Sequence, residues 1–201
     1  GGHTGQAYWF SDQSGEMTNS TFYGNDTSEW VKRWNSGKLA DKLFGKVWDR
    51  LLPESAYTNI DASPHEADLK GLGRVFPHPT NAKQQAPGPG YYESINYTPT
   101  GLEIQMDFAR AAIDGEQLRQ RGVTDALAIS VSGTDLAGHL FGPYSHEYQD
   151  MVLRFDRAVE KLLQDLEKKF KPGELVVAFT ADHGAAPIPE EAMQKSLLAG
   201  R

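Results

Sequence analysis

The sequence predicts an α/β fold with a mostly parallel sheet, on three observations. Two short apolar runs, 126–131 (Ala-Leu-Ala-Ile-Ser-Val) and 175–180 (Leu-Val-Val-Ala-Phe-Thr), have the continuous hydrophobicity of strands buried on both faces. Between them Tyr148, Val152, Phe155, Val159, Leu162, Leu166 and Phe170 recur at steps of three and four, the strongest periodic signal in the chain. Strand, helix and strand in that order form a right-handed parallel unit.

The elements follow in order from the N-terminus. Residues 8–10 and 17–23 flank a turn-rich stretch, 11–15, and read as a hairpin. Asp26-Thr27-Ser28-Glu29 is an Asp-x-x-Glu capping box ahead of Trp30, Val31 and Trp34, with Asn35-Ser36-Gly37 as the stop. Leu39, Leu43, Val47, Trp48 and Leu51 then predict a second amphipathic helix ending before Pro53. Tyr8, Trp9, Trp30 and Trp34 are assigned to packing. Residues 1–52 thus form hairpin and helices, the start of a cap or insertion.

Across 53–99 the periodicity disappears. Seven of the 11 prolines fall there, with Gly71, Gly73, Gly88 and Gly90, which predicts a long extended excursion acting as a cap-like insertion. His65 and His78, lying among prolines with no paired ligands nearby, are placed at the surface, and Tyr91-Tyr92 are within possible reach of a substrate.

Residues 100–201 read as an α/β metal-binding core segment. Thr100-x-x-Glu103 is a capping box, and Leu102, Met106, Ala109, Ile113 and Leu118 trace one face of a helix running to about Gly122. After the first apolar run, 133–143 is a loop. Ser145 caps the long helix, whose His146 faces solvent and whose Glu147 suits the positive helix end. Lys168, Lys169 and Lys171 suit its negative end, and Pro172-Gly173 stops it.

Composition bounds the function. With 201 residues, 39% hydrophobic and 23% charged, the chain can bury a core as one domain or a large piece of a bigger one. A net charge of −7 disfavours nucleic-acid polymers as partners. The apolar runs fall far short of the roughly 20 residues that span a bilayer, so no membrane is expected. The absence of cysteine excludes disulfides, thiolate nucleophiles and thiolate-bound metals. It leaves the compartment open.

Two polar motifs stand at equivalent places after the two runs: Asp135-Leu-Ala-Gly-His139 and Asp182-His183-Gly184. Ligands of open α/β sheets bind beyond the carboxyl ends of the strands, where such loops converge. Two Asp and two His suit a divalent metal, imidazole favouring Zn²⁺ and the carboxylates also suiting Mn²⁺ or Mg²⁺. Taken singly, Asp135 also reads as a turn cap and His139 as an ordinary loop histidine. Together the two motifs make the stronger case.

Thr134-Asp135-x-x-Gly138-His139-x-x-Gly142-Pro143-x-Ser145, the long helix, and Phe179-Thr180-Ala181-Asp182-His183-Gly184 resemble the alkaline phosphatase superfamily. Ala7-Tyr8-Trp9-Phe10, Gly15, Ser20-Thr21-Phe22-Tyr23 and Glu29-Trp30-Val31 resemble its bacterial branch of phosphate-irrepressible alkaline phosphatases and type I phosphodiesterase/nucleotide pyrophosphatases. The resemblance implies a three-layer α/β sandwich and a periplasmic or secreted location. It puts Asp135 and His139 on one zinc and Asp182 and His183 on a second. Two such ions about 4 Å apart clamp the attacking and leaving oxygens of a phosphoryl displacement.

The family's Ser or Thr nucleophile, a further Asp and a further His ligand, and the Lys and Arg that contact phosphate have no match here. The chain is therefore expected to be an internal segment, inactive alone, partnered by missing N- and C-terminal parts of the same enzyme. Thr134 and Thr180 are not assigned the nucleophile's role. The expected substrate is a small phosphate monoester, hydrolysed through a phosphorylated Ser or Thr. The alternatives are a phosphodiesterase or nucleotide pyrophosphatase on the same two metals, and a catalytically silent metal-binding segment.

Overall fold

In the computed structural model of the chain, which describes residues 5–24, 27–58, 61, 66, 68–187 and 189–194, one helix is apolar around most of its circumference. This helix, α4 (Pro99–Gly115), buries Leu102, Ile104, Met106, Phe108, Ala109, Ala112 and Ile113. A helix apolar on several faces must be surrounded. Met17 and Val31 pack on Phe108, Tyr91 and Ile95 on Ile104, and Leu162 on Met106 and Ile113. Its cap is Thr98, whose hydroxyl accepts from the Thr100 amide at 3.3 Å. It ends at Gly115 instead of near Gly122, and the chain turns at once through positive φ at Gln117 and Arg119.

The N-terminal hairpin forms, with β1 (Trp9–Phe10) antiparallel to β2 (Met17–Thr18). Trp9 is exposed rather than packed. In contrast, Tyr8 and Trp30 pack beside Phe108 and both donate to Glu116 Oε1, at 3.0 and 2.9 Å. Helix α1 (Glu29–Ser36) has Ser28 at its cap position, while the Asp26 of the expected capping box lies outside the described residues.

The second helix is much shorter than its spacing predicts. After α2 (Leu39–Lys42) the chain turns at Gly45, φ +78°, and β3 (Val47–Trp48) pairs antiparallel with β4 (His78–Pro79). Val47 is exposed and Trp48 buried, the alternation of a strand. The Leu-Leu-Val-Leu spacing spans both elements, so one periodicity stood for two conformations.

The excursion is not merely extended. A 3₁₀ turn, Glu54–Ala56, and a helix, α3 (Pro89–Ile95), interrupt it. Tyr91 and Tyr92 belong to the core and not to a substrate surface: their hydroxyls donate to Ala40 O at 2.8 Å and Asp41 Oδ1 at 2.7 Å. Burial, with Asp41 beside it, pushes the Tyr92 hydroxyl up to about 12. His78 is fully buried, contrary to its expected surface position, and His65 lies outside the described residues.

The expected loop 133–143 is largely helical. Helix α5 (Gly133–Phe141) seats Ala137, Leu140 and Phe141 on Trp48, Leu72, Phe76 and Met151. It stops at Gly142, φ +94°, a conformation that favours glycine. Ser145 Oγ then donates to Gly142 O at 2.8 Å and accepts from Tyr148 N at 3.0 Å, starting α6 (His146–Lys169) as expected. The α5–α6 pair is the most extensive helix contact.

The apolar runs 126–131 and 175–180 carry neither helix nor ladder hydrogen bonds among the described residues. Ile129 and Val131 lean on the α4–α6 cluster, and Phe179 stands 5.9 Å from Phe155, yet Val176 and Phe179 are 92% and 75% exposed. A parallel strand needs neighbours that supply its ladder, and none is present among the described residues. A short helix, α7 (Pro189–Gln194), follows.

The first turns of α6 depart from the apolar stripe. Val152 is exposed, whereas His146, Glu147, Asp150 and Met151 are buried. Asp150 explains the choice of face. Its Oδ1 accepts from Leu51 N (2.7 Å) and Tyr57 OH (2.5 Å), and its Oδ2 from Trp48 Nε1 (2.7 Å) and Arg154 Nε (2.5 Å).

Replacing Asp150 by Ala leaves the buried Trp48 and Tyr57 donors without an acceptor. Unfolding stability should fall by ~3 kcal/mol, the low end for breaking a buried charged pair, because Arg154 keeps contact with water. Urea denaturation with an unchanged midpoint would contradict this.

Candidate functional site

Helix α5 puts Asp135 and His139 one turn apart on a single face, opposite the side it buries. His139 Nε2 lies 3.5 Å from Asp135 Oδ1, and both side chains are open to water. The sequence expectation of a loop here was wrong in conformation, yet the helix serves the same pairing more rigidly.

The second motif arrives from the end of the 175–180 run. His183 Nε2 lies 3.7 Å from Asp135 Oδ1 and 3.8 Å from Asp182 Oδ2. The Asp182 carboxylate also accepts from the His183 amide at 3.1 Å. Since a carbonyl can only accept, the 2.9 Å contact between His183 Nδ1 and Gly184 O fixes Nδ1 as a donor. In the neutral ring this leaves the Nε2 lone pair facing the carboxylates, the arrangement a metal-binding imidazole needs.

All four residues singled out by sequence are therefore neighbours, centred on Asp135. They do not form a closed ligand set: among the described residues, no group of three or more His, Asp or Glu is arranged to hold a metal ion. The donor chemistry, two imidazoles and two carboxylates on an open surface, fits a divalent cation. Of the two nearby threonines, Thr180 is engaged within its own loop: its Oγ1 donates to Ala181 O at 3.3 Å.

Electrostatics favour a proton on His183 while no cation is there. The hydrogen bond to Gly184 O, followed by the charges of Asp182 and Asp135, raises its pKa above the ordinary 6.5.

A second group of polar residues overturns the solvent-facing expectation for His146. His146 is buried, 3.6 Å from Asp61, with Arg50 Nε 3.4 Å from its Nδ1. His78 Nε2 meets Glu147 Oε1 at 2.8 Å, both fully buried. The available signal was three ionisable residues, His146, Glu147 and Asp150, sharing one helix face immediately after an N-cap.

Comparison with known proteins agrees with the sequence resemblance. The family model described as type I phosphodiesterase / nucleotide pyrophosphatase matches residues 3–198. The chain belongs to that family. Among its phosphodiesterase-family relatives, the chain is 40% identical over 193 residues to alkaline phosphatase PhoV of Synechococcus elongatus, covering 94% of this chain and 34% of that protein. It is 35% identical over 185 residues to alkaline phosphatase PafA of Elizabethkingia meningoseptica, covering 90% and 33%. The crystal structure of wild-type alkaline phosphatase PafA superposes with a TM-score of 0.86 at 34% identity, over 98% of this chain and 38% of that one. The α/β, alkaline-phosphatase-like fold is thereby shown. This phosphodiesterase-family chain spans about a third of the length of those relatives. No helix among its described residues is long and apolar enough to cross a membrane.

The raised His183 pKa can be read directly. In the metal-free chain, NMR titration should place the His183 imidazole above the ordinary value and Asp182→Asn should move it down. A His183 titration unmoved by that substitution would exclude the electrostatic account.

Proposed function

We propose that the chain is the metal-binding part of a zinc-dependent phosphoric monoester hydrolase of the alkaline phosphatase type. The observation that carries this reading is the convergence of His139 and His183 on Asp135. The two alkaline phosphatase relatives support the reaction class. Asp135 and His139 would hold one ion and Asp182 and His183 the other, with Mn²⁺ or Mg²⁺ as possible substitutes. When bound, such ions neutralise charge on the oxygens of a phosphoryl group in displacement.

The chain's own residues prepare that site. Gly184 O holds the His183 Nδ1 proton, so the imidazole presents Nε2. The buried face of α5 fixes which way Asp135 and His139 point. Release of the His183 proton must accompany binding of a cation, which makes affinity fall as pH drops through the raised His183 pKa. The phosphorylated Ser or Thr belongs to a residue outside these 201, and residues 1–201 alone are inactive. Small phosphate esters are the substrates, neither nucleic-acid polymers nor membranes are partners, and the location is periplasmic or secreted.

Hydrolysis of diesters or nucleotide pyrophosphates is the second reading, favoured by the description of the matching family model. A catalytically silent metal-binding segment is the third.

In a chain extended to the length of its relatives, Asp182→Ala or His183→Ala should strip one zinc and abolish turnover, with residues 1–201 alone turning over nothing. Full two-zinc occupancy with retained activity in either variant would sink the assignment. Zinc bound but no ester hydrolysed by the extended chain would favour the silent segment.

Monoester preference rests on charge. A monoester dianion has three terminal oxygens to neutralise against a diester's two, so cationic groups aimed at the third stabilise its transition state more. The ratio of kcat/KM for an aryl phosphate monoester over its methyl diester should exceed one, and a ratio below one selects the diesterase.

A further inference from the structure

We propose that His78, braced by Glu147, is a positioning residue for the ligands Asp135 and His139. The proposal rests on the metal-binding reading of those two residues.

Helix α5 carries its candidate ligands on one face and buries only the other, through Ala137, Leu140 and Phe141. Rotation of α5 about its axis moves Asp135 and His139 together, so their aim depends on how the buried face is seated. Most of that seat is apolar: Trp48, Leu72, Phe76 and Met151. Such contacts seat the helix by shape and volume but set no hydrogen-bond direction.

His78 is the directional element. Its ring lies 5.2 Å from that of Phe141, two residues beyond His139, and 5.0 and 4.8 Å from Trp48 and Phe76. Nδ1 faces Leu72 O at 3.0 Å and must donate to it, while Nε2 faces Glu147 Oε1 at 2.8 Å. One side chain from the excursion thus touches the last turn of α5 and bonds the first turn of α6. Those helix ends meet at the corner formed by Gly142 and Ser145.

The pair is a poor choice for stability alone. Glu147 Oε2 is buried with no hydrogen-bond partner among the described residues. Replacing a buried ionisable pair by apolar groups is often neutral or stabilising, so the pair's value here is geometric specificity. Partners that hydrogen-bond a metal ligand directly are worth about 10- to 100-fold in metal affinity. His78 acts on Asp135 and His139 only through the seating of α5, so the low end of that range is expected.

Zn²⁺ competition titration of this chain, well below its unfolding temperature, tests the assignment. His78→Phe keeps the aromatic volume and removes both hydrogen bonds, and Glu147→Gln is the isosteric second variant should His78→Phe not fold. Each should weaken Zn²⁺ binding about 10-fold, the low end of the range for direct partners of a metal ligand. The loss should vanish in a His139→Ala background and persist in a His183→Ala background, a selectivity that general destabilisation would not produce. Equal loss in both backgrounds, or unchanged affinity in a folded variant, overturns the positioning role. Zinc affinity unaffected by His139→Ala itself would instead overturn the metal-binding reading.

Discussion

The carboxylate of Asp150 holds together parts of the chain that lie 93 to 102 positions apart in sequence. It takes four hydrogen bonds from residues 48, 51, 57 and 154, so β3, the start of the excursion and α6 meet at one buried charge. Filling its lone pairs offsets the cost of burying a carboxylate, and at Asp150 four donors do so. With that point fixed, Trp48 is presented to Phe76, His78 and Phe141, and the excursion can close over the α5–α6 corner.

The layout separates two kinds of polar chemistry. Asp135, His139, Asp182 and His183 stay in contact with water, where ligands and protons can arrive. His78, Glu147, His146 and Asp150 lie behind them in a dry layer, where hydrogen-bond direction is strong because the local dielectric is low. On the proposed reading, the outer set supplies the donor atoms, and His78 with Glu147 seats the helix that carries two of them.

The two candidate motifs stood out in the sequence because each is crowded into a few residues after an apolar run, and the fold brings His183 to Asp135. Asp135 with His139 and Asp182 with His183 are neighbours as expected. The long helix was legible for the same reason, since seven apolar residues at a regular step admit one reading. The frame was harder to read. Val47 and Trp48 fit a helical step and a strand alternation equally, and only pairing with His78–Pro79 decides between them. Tyr91 and Tyr92 gave no sign that Ala40 and Asp41 would take their hydroxyls, because that contact joins residues about 50 positions apart. The buried His78 was unreadable for a similar reason: its partner Glu147 is 69 positions away.

The exposed run Leu-Val-Val-Ala-Phe-Thr at 175–180 has a colloidal consequence. Six uncharged residues, rich in β-branched and aromatic side chains and free of proline, are the pattern that stacks into steric zippers between molecules. Glu174 precedes the run and Asp182 closely follows it, so bringing two copies into register also brings like charges together. Those flanking carboxylates act as gatekeepers, and their effect fades as salt screens them. The segment that delivers Asp182 and His183 to the site is thus also where self-association of this chain would begin.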